Sequence, residues 1–220
     1  MKKMNPALII LSILIFSSSC LSQETDNQKN KTDVKQETNK KELKPNIKQA
    51  YFAAGCFWCV EAAFDKIEGV ISSTSGYTGG DIENPTYSLI SSGTTKHIEA
   101  LKVEYDATKT NYTELLKHFW KNVDPLDSLG QFCDKGPQYL GAIFYENESQ
   151  KQKAEASLLK VQKLFKEKVA TKILAHKKFY PAEQYHQDYY NKNPFRYKFY
   201  SSSCGRAKRL EAIWKDKELK

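Results

Sequence analysis

The chain has 220 residues, 40% of them hydrophobic and 12% aromatic, and carries a formal net charge of +8 at pH 7. That is enough material for one good core, although not every segment belongs to it, and a single folded domain is the expectation. The lysines are scattered through helical patterns with no nucleic-acid motif beside them, so the charge reads as a solvated basic surface and nucleic acid is excluded as a partner.

In chain order, residues 1–20 place Lys2 and Lys3 ahead of an apolar stretch at 7–16 and then Ser17-Ser18-Ser19-Cys20. This is the pattern of an export signal. The apolar run is too short for a comfortable membrane span, so cleavage is expected. The small residues before Cys20 resemble a bacterial lipoprotein cleavage site, although Ser17 stands where such sites usually carry leucine. On that reading lipid is attached to the Cys20 sulfur, and this anchor alone holds an exported protein in the periplasm or cell envelope. The competing reading is an ordinary secretory signal in which Cys20 is incidental. Residues 21–46 are almost all polar, with Leu21, Val34 and Leu43 as the larger apolar side chains. They bury too little surface to offset the entropy of ordering them, and read as a flexible linker to a domain at 47–220.

That domain opens with an apolar run at 47–54, expected as a buried strand, followed by Gly55-Cys56-Phe57-Trp58-Cys59-Val60-Glu61. Val60, Phe64 and Ile67 then recur at helical spacing until Gly69, a helix-ending signal. A cysteine on the first turn of a helix faces unpaired N–H groups and the positive end of the helix dipole, and both favour thiolate. Cys56 is therefore the candidate nucleophile, against the alternative of a buried structural thiol. A strand at 70–75 and a sharp loop at 76–80 follow, then irregular chain through Asn84-Pro85-Thr86-Tyr87. Residues 97–106 alternate, with Leu101, Val103 and Tyr105 on one face, and Glu99 falls on that same apolar face. Desolvation there raises a carboxyl pKa and keeps the group protonated, ready to donate. The bland alternative is a strand-end glutamate that bends to solvent or pairs with His97.

A helix is expected at 111–123, with Leu115, Leu116, Phe119, Trp120 and Val123 as its buried stripe and Asp124-Pro125 as its end. A loop carrying Gly130, Cys133, Asp134, Gly136 and Pro137 precedes a strand at 139–145. Next comes a lysine-rich amphipathic helix at 149–168, with Leu158, Leu159, Val161, Leu164 and Phe165 on its apolar side. A strand at 171–175, a short helix opening at 181–186 and a final helix ending near Trp214 complete the chain. His186 is either a base for a thiol or a structural hydrogen bonder. Strands and helices mix without regular alternation, which argues for an α+β fold with a mixed or antiparallel sheet.

Apart from Cys20, the cysteines are Cys56, Cys59, Cys133 and Cys204. An exported domain tends to form disulfides, but one of this size does not need staples, and a pair separated by two residues closes too small a loop to stabilise much. Redox work by these thiols is the expectation.

Several separated segments together resemble one family. They are Gly55-Cys56-Phe57-Trp58 with Val60 and Glu61, Gly76-Tyr77, Asn84-Pro85-Thr86-Tyr87, His97-Ile98-Glu99, Gln138-Tyr139, and the run from Pro181 through His186 to Gln187. In this order, over residues 47–194, the chain resembles the type A peptide methionine sulfoxide reductases. The resemblance implies a compact two-layer α+β sandwich, ferredoxin-like in arrangement, and reduction of the S epimer of methionine sulfoxide, free or in oxidised proteins. Carried over by position, Cys56 is the nucleophile and Glu99 the acid. Tyr87, Asp134 and Tyr139 surround the substrate oxygen, and Phe57 and Trp58 form the pocket for the substrate methyl group. The same resemblance implies a Cys56 sulfenic acid, an intramolecular disulfide and a thioredoxin-like dithiol reductant, with no metal or bound cofactor.

Two positions depart from the commoner family pattern. Cys59 replaces a glycine, and Lys198 stands where a recycling cysteine followed by a glycine-rich tail is usual. The resolving thiol is therefore open among Cys204, placed first because it lies close in sequence to that usual cysteine, Cys59, one helical turn from Cys56, and Cys133. Three other readings compete for the whole chain. A thioredoxin-like disulfide oxidoreductase shares the strand, Cys-X-X-Cys and helix device, but lacks a cis-proline signal. A zinc site of Cys56, Cys59, Cys133 and Cys204 is weakened because structural zinc usually uses two close pairs. A tethered interaction module leaves the thiol and carboxylate arrangement without a role.

Overall fold

A computed structural model describes residues 44–219 of the chain. The expected export signal at 1–20, Cys20 and all but the last three residues of the expected linker at 21–46 lie outside them. Among the described residues no helix is long and apolar enough to cross a membrane.

The elements in chain order are β1 (Ile47–Ala54), α1 (Phe57–Phe64), β2 (Val70–Thr78), α2 (Tyr87–Ser91), β3 (Ile98–Asp106), α3 (Tyr112–Lys121), β4 (Gly130–Gln131) and β5 (Asp134–Lys135). After a single 3₁₀ turn at Pro137–Tyr139 come β6 (Gly141–Tyr145), α4 (Glu148–Gln162), β7 (Lys172–Ala175), β8 (Tyr180–Pro181), α5 (Tyr189–Lys192), α6 (Pro194–Ser203) and α7 (Arg206–Trp214). Six strands form one sheet in the order β7-β6-β1-β3-β2-β8, and β4 pairs with β5 as a small separate ribbon. All neighbours in the large sheet are antiparallel except β6 and β7. Its central four strands, β6-β1-β3-β2, come from two interleaved strand–helix–strand units, β1-α1-β2 and β3-α3-β6, each with a strand of the other between its own two. This is the ferredoxin-like arrangement within an α+β fold.

Strand alternation divides the core. Ala50, Phe52, Ala54, Leu101 and Val103 face the helices, where Val60, Phe64, Leu115, Leu116, Phe119, Trp120 and Trp214 cover them in one buried cluster. Tyr51, Ala53, Ile98, Ala100, Ala142 and Phe144 point the other way and are covered in part by Phe179. Glu99 shares the helix-facing parity of Leu101 and stands at the strand end beside the start of α1.

Several boundaries differ from the sequence pattern, each for a physical reason. The strand at 70–75 runs on to Thr78 in place of the expected loop. A Cβ at Gly76 would lie 2.4 Å from both Phe179 Cζ and the Tyr180 carbonyl oxygen, so the glycine lets β8 dock there. The short helix expected at 181–186 is absent. Tyr180–Pro181 instead pairs with β2, and the Gln187 side chain fastens the next turn by accepting from Ser75 N–H at 2.9 Å and donating to the Ala182 carbonyl at 2.8 Å. The strand expected at 139–145 begins at Gly141, because Pro137 opens the 3₁₀ turn. The long helix stops at Gln162, whose side chain donates to the Glu167 carbonyl and accepts from Val169 N–H, both at 2.9 Å. Leu159, expected on the apolar side, is exposed.

Candidate active site

The site begins at a sharp exit from β1. Gly55 has φ +80°, and a Cβ there would meet Gln131 Cβ at 2.6 Å, so only a bare backbone fits. Cys56 follows as the N-cap of α1, its carbonyl accepting from Cys59 N–H at 3.1 Å and Val60 N–H at 3.3 Å. The next free helix N–H, that of Phe57, donates to Glu99 Oε2 at 3.1 Å. Glu99 is 2% exposed. Burial, with the nearby Asp134 and Cys59 charges, pushes its pKa up to about 8 against the pull of the Phe57 bond. The pairing with His97 does not form; the His97 ring instead bonds the Ile82 carbonyl at 2.8 Å.

Cys56 and Cys59 are both buried, free thiols in mutual hydrogen-bond contact. Burial, the Cys59 neighbour and Glu99 push the Cys56 thiol up, while a hydrogen bond from the Tyr200 hydroxyl pulls the other way. The hydrogen bond from Cys56, the Arg206 charge and a bond from Tyr197 bring Cys59 down to about 7, overcoming its own burial. The two thiols therefore titrate as a pair, each shifting the other, with Cys56 pushed up and Cys59 pulled down. Cys56 stands at the helix N-terminus expected of it, and burial opposes the charge that this position favours.

Around this pair stand the other expected residues. Tyr139 and Tyr87 are half-buried, and both have their phenol pKa raised by burial first and then by the Glu99 charge. Tyr87 N–H donates to Glu183 Oε1 at 2.7 Å, and Tyr77 OH donates to Glu183 Oε2 at 2.9 Å, which fixes the start of α2 against β2. Asp134, on β5, accepts from Tyr200 OH at 2.5 Å and from the Cys56 N–H, and burial raises its pKa. Phe57 packs with Tyr77, Ile90 and Ala182, with Trp58 and Tyr87 at the edge of the cluster. Trp58 stacks on Tyr189 at 3.8 Å between ring centres, and its indole N–H donates to His186 Nδ1 at 3.1 Å. His186 is therefore a structural hydrogen bonder, with its acceptor nitrogen occupied and its pKa lowered by burial.

The remaining two cysteines are joined. Cys133 and Cys204 form a disulfide across 71 residues, tying the end of α6 to the loop that carries Asp134. Sequence proximity placed Cys204 ahead of Cys59 as resolving thiol. The structure places the Cys204 sulfur in a bond to Cys133 and the Cys59 thiol against Cys56. The same bond leaves no four-thiolate set for zinc. Tyr197, Tyr200, Arg206 and Glu183 were missed by the sequence reading. Glu183 lay within a motif quoted for its resemblance alone, whereas α6 had no periodic signal, since its ten residues contain no buried side chain. Arg206 reaches the site by extending from α7, donating to the Ala54 carbonyl at 2.9 Å and the Asn122 carbonyl at 2.5 Å.

A pair of coupled thiols at a helix N-terminus, faced by a neutral buried carboxyl, defines a thiol-dependent oxidoreductase. A family profile described as peptide methionine sulfoxide reductase matches residues 48–218. The peptide methionine sulfoxide reductase MsrA of Bacillus licheniformis is 47% identical over 167 residues, covering 75% of this chain and 92% of that protein. MsrA/MsrB of Vibrio cholerae is 44% identical over 171 residues, covering 77% of this chain and 45% of its own greater length. Among solved structures, reduced Mxr1 of Saccharomyces cerevisiae aligns with TM-score 0.65 at 31% identity, over 70% of this chain and 92% of that one. Methionine sulfoxide reductase A of Corynebacterium diphtheriae aligns with TM-score 0.61 at 31% identity, over 69% of this chain and 77% of that one. The chain belongs to the peptide methionine sulfoxide reductase family. It is a type A member and an enzyme that reduces methionine sulfoxide.

Proposed function

We propose that the enzyme reduces the S epimer of methionine sulfoxide, free or in oxidised proteins, with Cys56 as nucleophile, Glu99 as acid and Cys59 as first resolving thiol. The observation that carries this is the neutral carboxyl of Glu99 hydrogen-bonded to the N–H next to Cys56. A sulfoxide oxygen is a poor leaving group, so attack on its sulfur requires a proton delivered to oxygen as the bond forms. Glu99 supplies that proton. Cys56 passes its own proton along the hydrogen bond to Cys59 as its sulfur attacks. The phenols of Tyr87 and Tyr139 hold the oxygen, and the Phe57 and Trp58 rings receive the sulfur-bound methyl.

Collapse releases methionine and leaves the oxygen on Cys56 as sulfenic acid. Cys59 then attacks the Cys56 sulfur; hydroxide leaves, takes the Cys59 proton and departs as water, and a Cys56–Cys59 disulfide remains. This order reverses the one expected from sequence, and what supports it is the contact between the two thiols. Glu99 regains its proton from solvent. A dithiol reductant of thioredoxin type returns the disulfide to two thiols. The expected export signal, lipid anchor at Cys20 and linker at 21–46 rest on the sequence pattern alone; they would place this repair activity on proteins outside the cytoplasm.

Steady-state assays with separated S and R epimers and dithiothreitol test the reading. Methionine is expected from the S epimer only, and from neither by Cys56→Ser. Turnover of the R epimer, or activity in that variant, would refute it.

A further inference from the structure

The thiol pair has a second approach, separate from the group around Glu99. A cavity of about 310 Å³ opens beside α1 with Cys59 in its wall. Tyr197, Ser201 and Ser202 of α6, Arg206 and Ala207 of α7, and Lys66 complete most of it, while Glu99, Tyr87, Tyr139, Phe57 and Trp58 take no part. We propose that this cavity is the docking site of a protein dithiol, whose thiolate attacks Cys59 and not Cys56. The inference rests on the preceding assignment of a Cys56–Cys59 disulfide.

Three observations favour this occupant. First, the wall is basic where the incoming sulfur must be anionic. Arg206 is buried, with its charge felt at Cys59, and Lys66 is exposed at the rim. Thiolates are the attacking species in disulfide exchange, so a buried guanidinium there raises their local population. Second, the Tyr197 hydroxyl bonds Cys59, and with Arg206 it stabilises the thiolate that must finally leave at that sulfur. Third, α6 carries an exposed apolar ridge beside the cavity. Phe195 and Phe199 are 89% and 76% exposed, four residues apart. With side chains about 100° apart around a helix, Ser202 falls between the Ser201 side and this ridge. A small thiol has no use for two exposed rings, whereas a protein partner buries them.

The exchange balances as follows. The partner thiolate bonds to Cys59 Sγ, the Cys56–Cys59 bond breaks, and its electron pair leaves on Cys56, which takes a proton. The partner's second thiol then attacks its own sulfur in the mixed disulfide and releases Cys59 as thiolate. Two electrons pass to the enzyme, and the partner departs as a disulfide.

The test uses a thioredoxin whose second active-site cysteine is serine, so that the first exchange halts at the mixed disulfide. The enzyme is oxidised by one equivalent of sulfoxide, its disulfide is mapped by peptide mass spectrometry, and the thioredoxin variant is then added. Attachment at Cys59 is expected. Attachment at Cys56, Cys133 or Cys204, or no adduct despite a mapped Cys56–Cys59 bond, overturns the proposal. Failure to find that bond at all shows instead that the underlying assignment is wrong and removes the proposal with it. In parallel, Ala207→Trp narrows the cavity from its α7 wall and leaves both cysteines unsubstituted. It should raise the KM for intact thioredoxin at least tenfold while leaving methionine release by pre-reduced enzyme unchanged; an unaltered KM contradicts the proposal.

Discussion

Phe57 and Glu99, 42 residues apart in sequence, are joined by a 3.1 Å hydrogen bond from backbone N–H to carboxyl. This bond ties Glu99 on β3, the proposed proton donor, to the first turn of the helix capped by Cys56, the proposed nucleophile. Glu99→Gln preserves the acceptor and the shape but has no proton to give. Its kcat/KM for methionine sulfoxide should fall roughly 10²- to 10⁴-fold, the range for loss of a general acid.

The same substitution should alter stability against pH. The Glu99 pKa is raised from 4.5 to about 8 on folding, so its stabilising contribution is complete below 4.5 and is lost as pH rises towards about 8. Over that window it contributes a slope of about 1.4 kcal/mol per pH unit, which Gln abolishes. Denaturant titrations of both proteins at pH 5 and pH 8 check this: wild type should lose stability relative to the variant at the higher pH.

Activity should follow a narrow bell in pH. The shared thiol charge is lost as pH falls through about 7, the Cys59 value, and the Glu99 proton is lost as pH rises through about 8. Values of kcat/KM across pH 5–10 should peak between the two, and Glu99→Gln should lack the alkaline limb in its residual activity.

Cys59→Ser separates the chemical step from recycling. Pre-reduced variant should still release methionine, about tenfold or more slowly because the proton acceptor for Cys56 is lost. It should accumulate a Cys56 sulfenic acid detectable with dimedone and turn over poorly with thioredoxin. Full thioredoxin-dependent turnover would show that Cys59 is not the resolving thiol.

The disulfide between Cys133 and Cys204 holds α6, with Tyr197 and Tyr200, against the loop of Asp134. Replacing both cysteines by serine should cost on the order of 2–4 kcal/mol of stability, given the long loop it closes. Methionine release by pre-reduced enzyme should persist, as should thioredoxin-dependent turnover. Loss of turnover with methionine release intact would make this disulfide a relay.

Much of this was legible in the sequence because it rests on local pattern. The run at 47–54, the parity of Glu99 with Leu101 and Val103, and the stripe from Leu115 to Trp120 report burial directly, and they carry the central strands and α3. The 3₁₀ turn at Pro137–Tyr139 is opened by its own proline, whereas the paired Tyr180–Pro181 was hidden because it is fixed by distant partners. Bare Gly76 admits β8, and Gln187 binds the backbone of Ser75. The site was legible where a residue lies in a distinctive motif, as Cys56, Glu99 and Tyr87 do. Tyr197, Tyr200 and Arg206 act from short helices near the end of the chain whose contacts with Ala54, Cys56 and Cys59 cross more than 100 residues, and no periodicity marks them. The burial of Cys56 was hidden for a related reason: proximity to a helix end is local, but the desolvation that opposes a charge there comes from the whole fold.

The most direct measurement is a single turnover without external reductant. Pre-reduced enzyme is mixed with excess S-sulfoxide, methionine is quantified, and the disulfides are mapped by peptide mass spectrometry. One methionine per enzyme, with a new Cys56–Cys59 bond and Cys133–Cys204 unchanged, is the expected result. Release of no methionine, or a new disulfide other than Cys56–Cys59, would contradict the account.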